Sequence, residues 1–152
     1  MIQVSKNELG ATLEKAAIGQ GYDQGTGQWL SSVVLQAVQV DLPAAEWAIE
    51  ALRHKPEPPA LKNTSLGWQC HNYSVLVAGP LLTDLVMSGE PLNGEGFVKL
   101  DVPDLWRHLL TTKFKQKCGA VDIQPATWKE LNTLAAKTYV PATDESRARG
   151  AG

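Results

Sequence analysis

Both cysteines and two of the three histidines, namely Cys70, His71, His108 and Cys118, are side chains of the kinds that bind zinc. Thiolate sulfur and imidazole nitrogen are common zinc ligands, and structural sites usually place two of them roughly two to four residues apart, so that one turn presents both. No pair here has that spacing, because Cys70 and His71 are adjacent and the other two stand apart. The sequence therefore predicts no metal site, and we expect both cysteines to behave as small buried hydrophobic residues.

The same residues raise the question of catalysis. A nucleophilic thiolate needs a neighbouring base or cation, but Cys70 and His71 would point to opposite faces of an extended strand. Neither cysteine lies in a recognised nucleophile motif. Acid–base chemistry is the alternative, because catalytic groups can converge from distant parts of a chain. Its candidate residues are His71, His108, Asp101 and Asp104.

Two stretches suggest anion binding, and each has a simpler explanation. GYDQGTGQ, residues 21–28, carries three glycines ahead of a helical pattern. It lacks the lysine and hydroxyl of a phosphate-binding loop and follows a predicted helix, so we interpret it as a loop between helices. Lys113, Lys115 and Lys117 share one face of an extended segment. They could hold an anion, although lysines on an edge strand also protect it from pairing with other chains.

Composition limits the kinds of partner. A chain of 152 residues is long enough for one domain with its own core. Its net charge of -2 provides no broad cationic surface, so we expect no nucleic-acid binding. No signal-peptide pattern and no apolar run of membrane-spanning length is present, which predicts a cytoplasmic protein that does not bind membranes. No cofactor motif is present, and we expect no cofactor.

Three amphipathic helices are predicted in the first third of the chain. Ser5 and Glu8 form a capping box for the first helix. Asp41 is expected to cap the third helix, with Pro43 near its first turn. The predicted buried faces consist of Leu9, Leu13, Ala16 and Ala17, then Leu30, Val33, Val34 and Ala37, then Ala44, Trp47, Ala48, Ala51 and Leu52.

The middle of the chain mixes strand and helix patterns. The proline-rich stretch 54–65 predicts an extended surface connection. YSVLVAG, residues 73–79, fits either a buried strand or the start of the helix that follows it. Residues 97–102 and 113–124 alternate as strands do.

A last helix is predicted to begin at a second capping box, formed by Thr127 and Glu130. Its predicted buried face consists of Trp128, Leu131, Leu134 and Ala135.

These patterns together predict a single α+β domain over residues 1–152. About three N-terminal helices form a layer packed on a small mixed sheet, followed by a C-terminal helix and tail. The predicted subregions are a helical part at 1–54, a proline-rich connection at 55–65, a mixed α/β part at 66–137 and a polar tail at 138–152.

The two ends of the sequence carry the patterns of a known family. The tail TYVPATDESRARGAG, residues 138–152, follows the helical stretch WKELNTLAAK, and the chain opens with VSKNELGATLEKAAIGQGY at residues 4–22. Both ends resemble a bacterial family of unknown function, domain-of-unknown-function family 3726. That family's tail continues through a short acidic stretch, whereas this sequence stops at Gly152, through either truncation or loss of the ending. The resemblance implies a shared fold and no particular mechanism.

The tail also contains the groups most suited to anion recognition. Arg147 or Arg149, together with Ser146, could form a fork for a carboxylate or phosphate, because a guanidinium donates two parallel hydrogen bonds. A solvated, frayed terminus is the simpler alternative. We therefore predict a non-catalytic binding or accessory module that recognises a small anionic ligand or a partner protein, with self-association left open. The alternative is a small-molecule enzyme built from the histidines and aspartates named above.

Overall fold

The structure is a computed structural model, and it describes residues 1–40, 42–53, 60–71, 74–91 and 119–138. Five α-helices and two antiparallel strand pairs occur within these ranges, which confirms the α+β class. The helices are α1 (Lys6–Gly19), α2 (Gln24–Ala37), α3 (Ala44–Leu52), α4 (Val75–Met87) and α5 (Pro125–Ala136). The strands are β1 (Ile2–Ser5), β2 (Ala60–Thr64), β3 (Gly67–His71) and β4 (Ala120–Ile123).

The described strands form two separate pairs, where the sequence suggested one small mixed sheet. β1 pairs with β4, so that Ile2 lies opposite Ile123 and Ser5 opposite Ala120. β2 and β3 form a hairpin from the stretch around residues 60–71. Within the extended connection predicted over 54–65, residues 60–64 form a strand that pairs with β3. β1 was not predicted.

Helix α1 begins where the capping box places it. The backbone N–H of Glu8 donates a hydrogen bond of 3.1 Å to Oγ of Ser5, which confirms this cap. The predicted apolar faces of α1, α2 and α3 are also confirmed, with Trp47 half-buried and the other predicted residues buried. α1 packs against both α2 and α5, and the largest fully buried side chains are Leu9, Leu13, Leu30, Val34, Leu52 and Leu131.

Helix α2 begins earlier than the sequence suggested, so most of the predicted loop at 21–28 is helical. Asp23 caps α2 by accepting a 2.9 Å hydrogen bond from the backbone N–H of Thr26. Gly27 lies at the contact with α1, where an added Cβ would stand 3.2 Å from the carbonyl oxygen of Glu14. The glycine that suggested a loop therefore allows two helix backbones to approach closely.

The Asp23 cap makes a pH-dependent contribution to stability. Hydrogen bonds from the backbone and hydroxyl of Thr26 hold the pKa of the Asp23 carboxyl below its usual value. Because the folded-state pKa is depressed, this contribution is present above the unfolded pKa of about 3.9 and is lost as pH falls through the folded pKa. We expect Asp23→Ala to lower the free energy of unfolding by about 1 kcal/mol at pH 7 and by clearly less near pH 2. Urea unfolding at both pH values measures the difference, and an equal cost at both would contradict it.

The ambiguous stretch at 73–79 resolves as helix over its described residues from Val75 onward. α4 contains Pro80 in its interior and packs against α2. At this contact Gly79 is buried and lies against the indole of Trp29.

The second predicted capping box is wrong. The N-cap of α5 is Gln124, with Pro125 in the first turn, and no side chain caps this helix. The hydroxyl of Thr127 instead donates to Oε1 of Glu46 at 2.9 Å, on α3. Glu130 accepts hydrogen bonds from Arg53 at 2.9 and 3.1 Å. Thr127 and Glu130 thus both connect α5 to α3. The predicted buried face of α5 is confirmed, with Trp128 half-buried.

The C-terminal ends of α1, α3 and α5 meet at one side chain. Nε2 of Gln20 donates a 2.7 Å hydrogen bond to the carbonyl oxygen of Leu52, and Oε1 of Gln20 accepts one of 2.9 Å from Nζ of Lys137. A cation beside helix C-termini is electrostatically favourable. Gln20 thus links Lys137, just after α5, to the end of α3.

Helix α3 begins at Ala44 after Pro43, which occupies the N-cap position without any side-chain cap. The predicted cap, Asp41, lies outside the described residues, as do the predicted strand at 97–102 and the three lysines at 113–117.

Candidate functional site

Most candidate residues from the sequence fall outside the part of the chain that the structure describes. His71 is the last residue of β3, and its backbone pairs with Ala60. The candidates that lie outside the described ranges are Asp101, Asp104, His108, Cys118, Ser146, Arg147 and Arg149. Anion binding by the tail and acid–base catalysis therefore stay predictions.

Two general properties of the described residues bear on function. They contain no group of three or more His, Cys, Asp or Glu side chains arranged to hold a metal ion. No helix among them combines the length and the apolar character needed to cross a membrane.

A cleft of about 770 Å³ lies between β4 and the segment that leads from α2 into α3. Its volume is within the range of roughly 300–1,000 Å³ that is typical of ligand sites. One wall is formed by Ala120, Val121, Asp122, Ile123 and Gln124. The other wall is formed by Val38, Gln39, Leu42, Pro43, Ala45 and Glu46, and Met1 and Lys6 complete the lining.

All residues of β4, from both faces of the strand, line the cleft, whereas no residue of β1 does. Met1 and Lys6, which flank β1 in the sequence, line it. Among the described residues β4 pairs only with β1, so no described strand lies along the edge of β4 that faces away from β1.

The register of β1 and β4 shows which backbone groups of β4 face away from β1. The N–H of Lys6 donates a 3.0 Å hydrogen bond to the carbonyl oxygen of Gly119, just before β4. In an antiparallel pair, hydrogen-bonded and non-hydrogen-bonded residue pairs alternate. Val121 and Ile123 are therefore bonded to β1, whereas Ala120 and Asp122 occupy the intervening positions. The N–H and C=O groups of Ala120 and Asp122 consequently point away from β1.

The charged groups of the cleft are separated along its length. Lys6 lies at the Gly119 end, because its backbone bonds to Gly119. Glu46 lies at the Gln124 end, because it accepts the hydroxyl hydrogen bond of Thr127 in the next helix. About five residues of extended chain separate the two ends, or about 16 Å at about 3.3 Å per residue. The cleft is thus basic at one end and acidic at the other, with Asp122 between them.

The described lining residues include no cysteine, histidine, serine or threonine. Their charged side chains are those of Lys6, Glu46 and Asp122. The Glu46 carboxylate is already hydrogen-bonded by Thr127. What remains is a row of backbone donors and acceptors on one wall, apolar side chains such as Val38 and Leu42 on the other, and charges at the ends.

Sequence patterns gave only part of this site. The alternation at 113–124 indicated a strand that includes β4, but no local signal marked Val38–Glu46 as functional. The missing information is the pairing of β1 with β4, which is a long-range contact.

Comparison of the chain with protein-family models, with curated proteins and with solved structures found no match. The resemblance of the two ends to a bacterial family therefore stays a prediction.

Proposed function

We propose that this protein is a non-catalytic binding module and that the cleft along β4 is its binding site for a partner protein. The observation that carries this proposal is the cleft itself, which is bounded by a strand edge, an apolar wall and separated charges. A simple anion is less well matched, because one lysine and two carboxylates line the cleft. The anion fork of Ser146, Arg147 and Arg149 is a separate prediction about the tail.

A peptide selection followed by mapping tests this proposal. Random heptapeptides displayed on phage are selected on the immobilised full chain, and enriched peptides are titrated into ¹⁵N-labelled protein. We expect the amide shift changes to cluster at Ala120–Gln124 and at Ala44–Glu46. Inorganic phosphate and citrate, titrated in the same way, serve as the comparison for an anion site.

The outcomes separate the alternatives. Shift changes in the cleft with peptides, and none with phosphate or citrate, support a protein partner. Cleft changes with the anions alone would identify a small-anion site instead. Selection that enriches no peptide, or enriched peptides that shift only amides away from the cleft, would show that the proposal is wrong.

A further inference from the structure

We propose that the partner contributes an extended segment that pairs, as an additional antiparallel strand, with the edge of β4 that faces away from β1 and that no described strand occupies. This inference rests on the proposed function, because it specifies how the cleft is occupied. It is carried by the outward-facing backbone groups of Ala120 and Asp122 and by the separation of charge along the cleft.

The backbone of β4 presents the groups that a new strand requires. Ala120 and Asp122 are two residues apart, so their outward N–H and C=O groups repeat every 6.5–7 Å or so along the strand. An extended peptide presents its own donors and acceptors with the same repeat, and unpaired strand edges bind peptides in this way. A compact small molecule cannot satisfy both positions at that spacing as readily.

The opposite wall provides contacts for side chains. Val38, Leu42 and Ala45 face the cleft across from β4. Successive side chains of an extended peptide alternate between two faces, so every second residue can pack on this apolar wall. Apolar β-branched residues suit such positions because they are favoured in strands.

The charges at the two ends of the cleft predict where the partner segment carries charged residues. A strand antiparallel to β4 begins at the Gln124 end, near Glu46, and finishes near Lys6. It is therefore best matched by a basic residue first and an acidic residue about four positions later. The capped pentapeptide acetyl-KVTVE-amide has this pattern, and QVTVQ is its uncharged counterpart.

The first test compares synthetic peptides on the full chain. Two solvent-accessible ion pairs contribute about 0.7 kcal/mol each, so KVTVE should bind with a Kd about tenfold lower than that of QVTVQ. KVPVE, in which proline removes the central peptide N–H, should show no measurable binding. Equal affinities for KVTVE and KVPVE would overturn strand pairing.

Amide hydrogen exchange gives a readout that side-chain binding alone would not change. On saturation with KVTVE, the amides of Ala120 and Asp122 should exchange at least tenfold more slowly, whereas the Val121 amide already bonds to β1 and should change less. Unchanged exchange at Ala120 and Asp122, with shift changes elsewhere in the cleft, would overturn the strand proposal and leave the proposed function intact. A third outcome is slow exchange of these two amides in the absence of peptide, at a rate that depends on protein concentration. It would mean that a second copy of the chain occupies the edge, and it would also overturn the strand proposal.

Two substitutions of Ala120 distinguish the contribution of its backbone N–H to binding from that of its side chain. Ala120→Pro removes an outward N–H without removing a bond to β1, so it should weaken KVTVE binding by about tenfold. The matched control Ala120→Ser keeps the N–H and should bind within about twofold of the unchanged chain. Tight binding by a folded Ala120→Pro variant would contradict the proposal; if that variant does not fold, the exchange measurement decides.

Discussion

Substituting alanine for Gly79 is expected to lower the free energy of unfolding by about 2–3 kcal/mol, because the contact between α2 and α4 leaves no room for a methyl group. A Cβ at Gly79 would overlap Nε1, Cε2 and Cζ2 of the Trp29 indole. The ring packs against the core, so displacing it would disturb that packing. A residue with a Cβ is also disfavoured in helical conformation directly before proline, and Pro80 follows.

A double-mutant cycle tests whether the indole is the cause. The cost of Gly79→Ala is measured by urea unfolding in the unchanged chain and again in a Trp29→Leu background, where the smaller side chain leaves space. Nε1 of Trp29 is buried and has no hydrogen-bond partner among the described residues. The Trp29→Leu substitution therefore removes no hydrogen bond between the indole and a described residue. The cost should fall by more than about 1 kcal/mol in that background. The same cost in both backgrounds would show that the indole overlap is not responsible.

Leu131→Ala is expected to lower the free energy of unfolding by about 2–5 kcal/mol. Leu131 is fully buried on α5, which packs against α1 and α3. Its truncation removes buried methyl groups and leaves a cavity that these helices cannot fill without shifting.

The matched control for Leu131→Ala is Thr133→Ala, two residues along the same helix and exposed. It should change stability by no more than about 0.5 kcal/mol in either direction. Urea unfolding of both variants measures the difference. A cost below about 1 kcal/mol for Leu131→Ala would contradict the packing described for α5.

Local patterns predicted those features that depend on neighbouring residues. The Ser5–Glu8 cap involves groups three residues apart, and the buried faces of the helices follow from spacing along one element. Thr127 and Glu130 have the same spacing and residue types as a capping box, yet they bond to Glu46 and Arg53 on another helix. Because partners distant in sequence compete for the same polar groups, the local pattern could not decide between these outcomes.

For a similar reason, glycine misled one prediction and β-branched residues left another open. Gly27 suggested a loop, but it lies where α2 approaches the backbone of α1. The run at 75–79 was equally compatible with strand and helix, and the contact of Gly79 with Trp29 belongs to helix packing. The cleft was beyond prediction because its two walls, which include Val38, Leu42 and Glu46 on one side and Ala120–Gln124 on the other, are brought together by tertiary contacts.

The pairing of β1 with β4 also determines how late in synthesis the fold can be completed. Ile2 and Ser5 emerge from the ribosome first, but their partners Ile123 and Ala120 emerge only after the helices α1 to α4. Closing so long a loop costs chain entropy and is characteristic of slow, late folding steps. Until then the apolar residue Val4 has no strand beside it, and the cleft lacks one wall. A nascent chain therefore completes the cleft only after most of its helical core can already have formed.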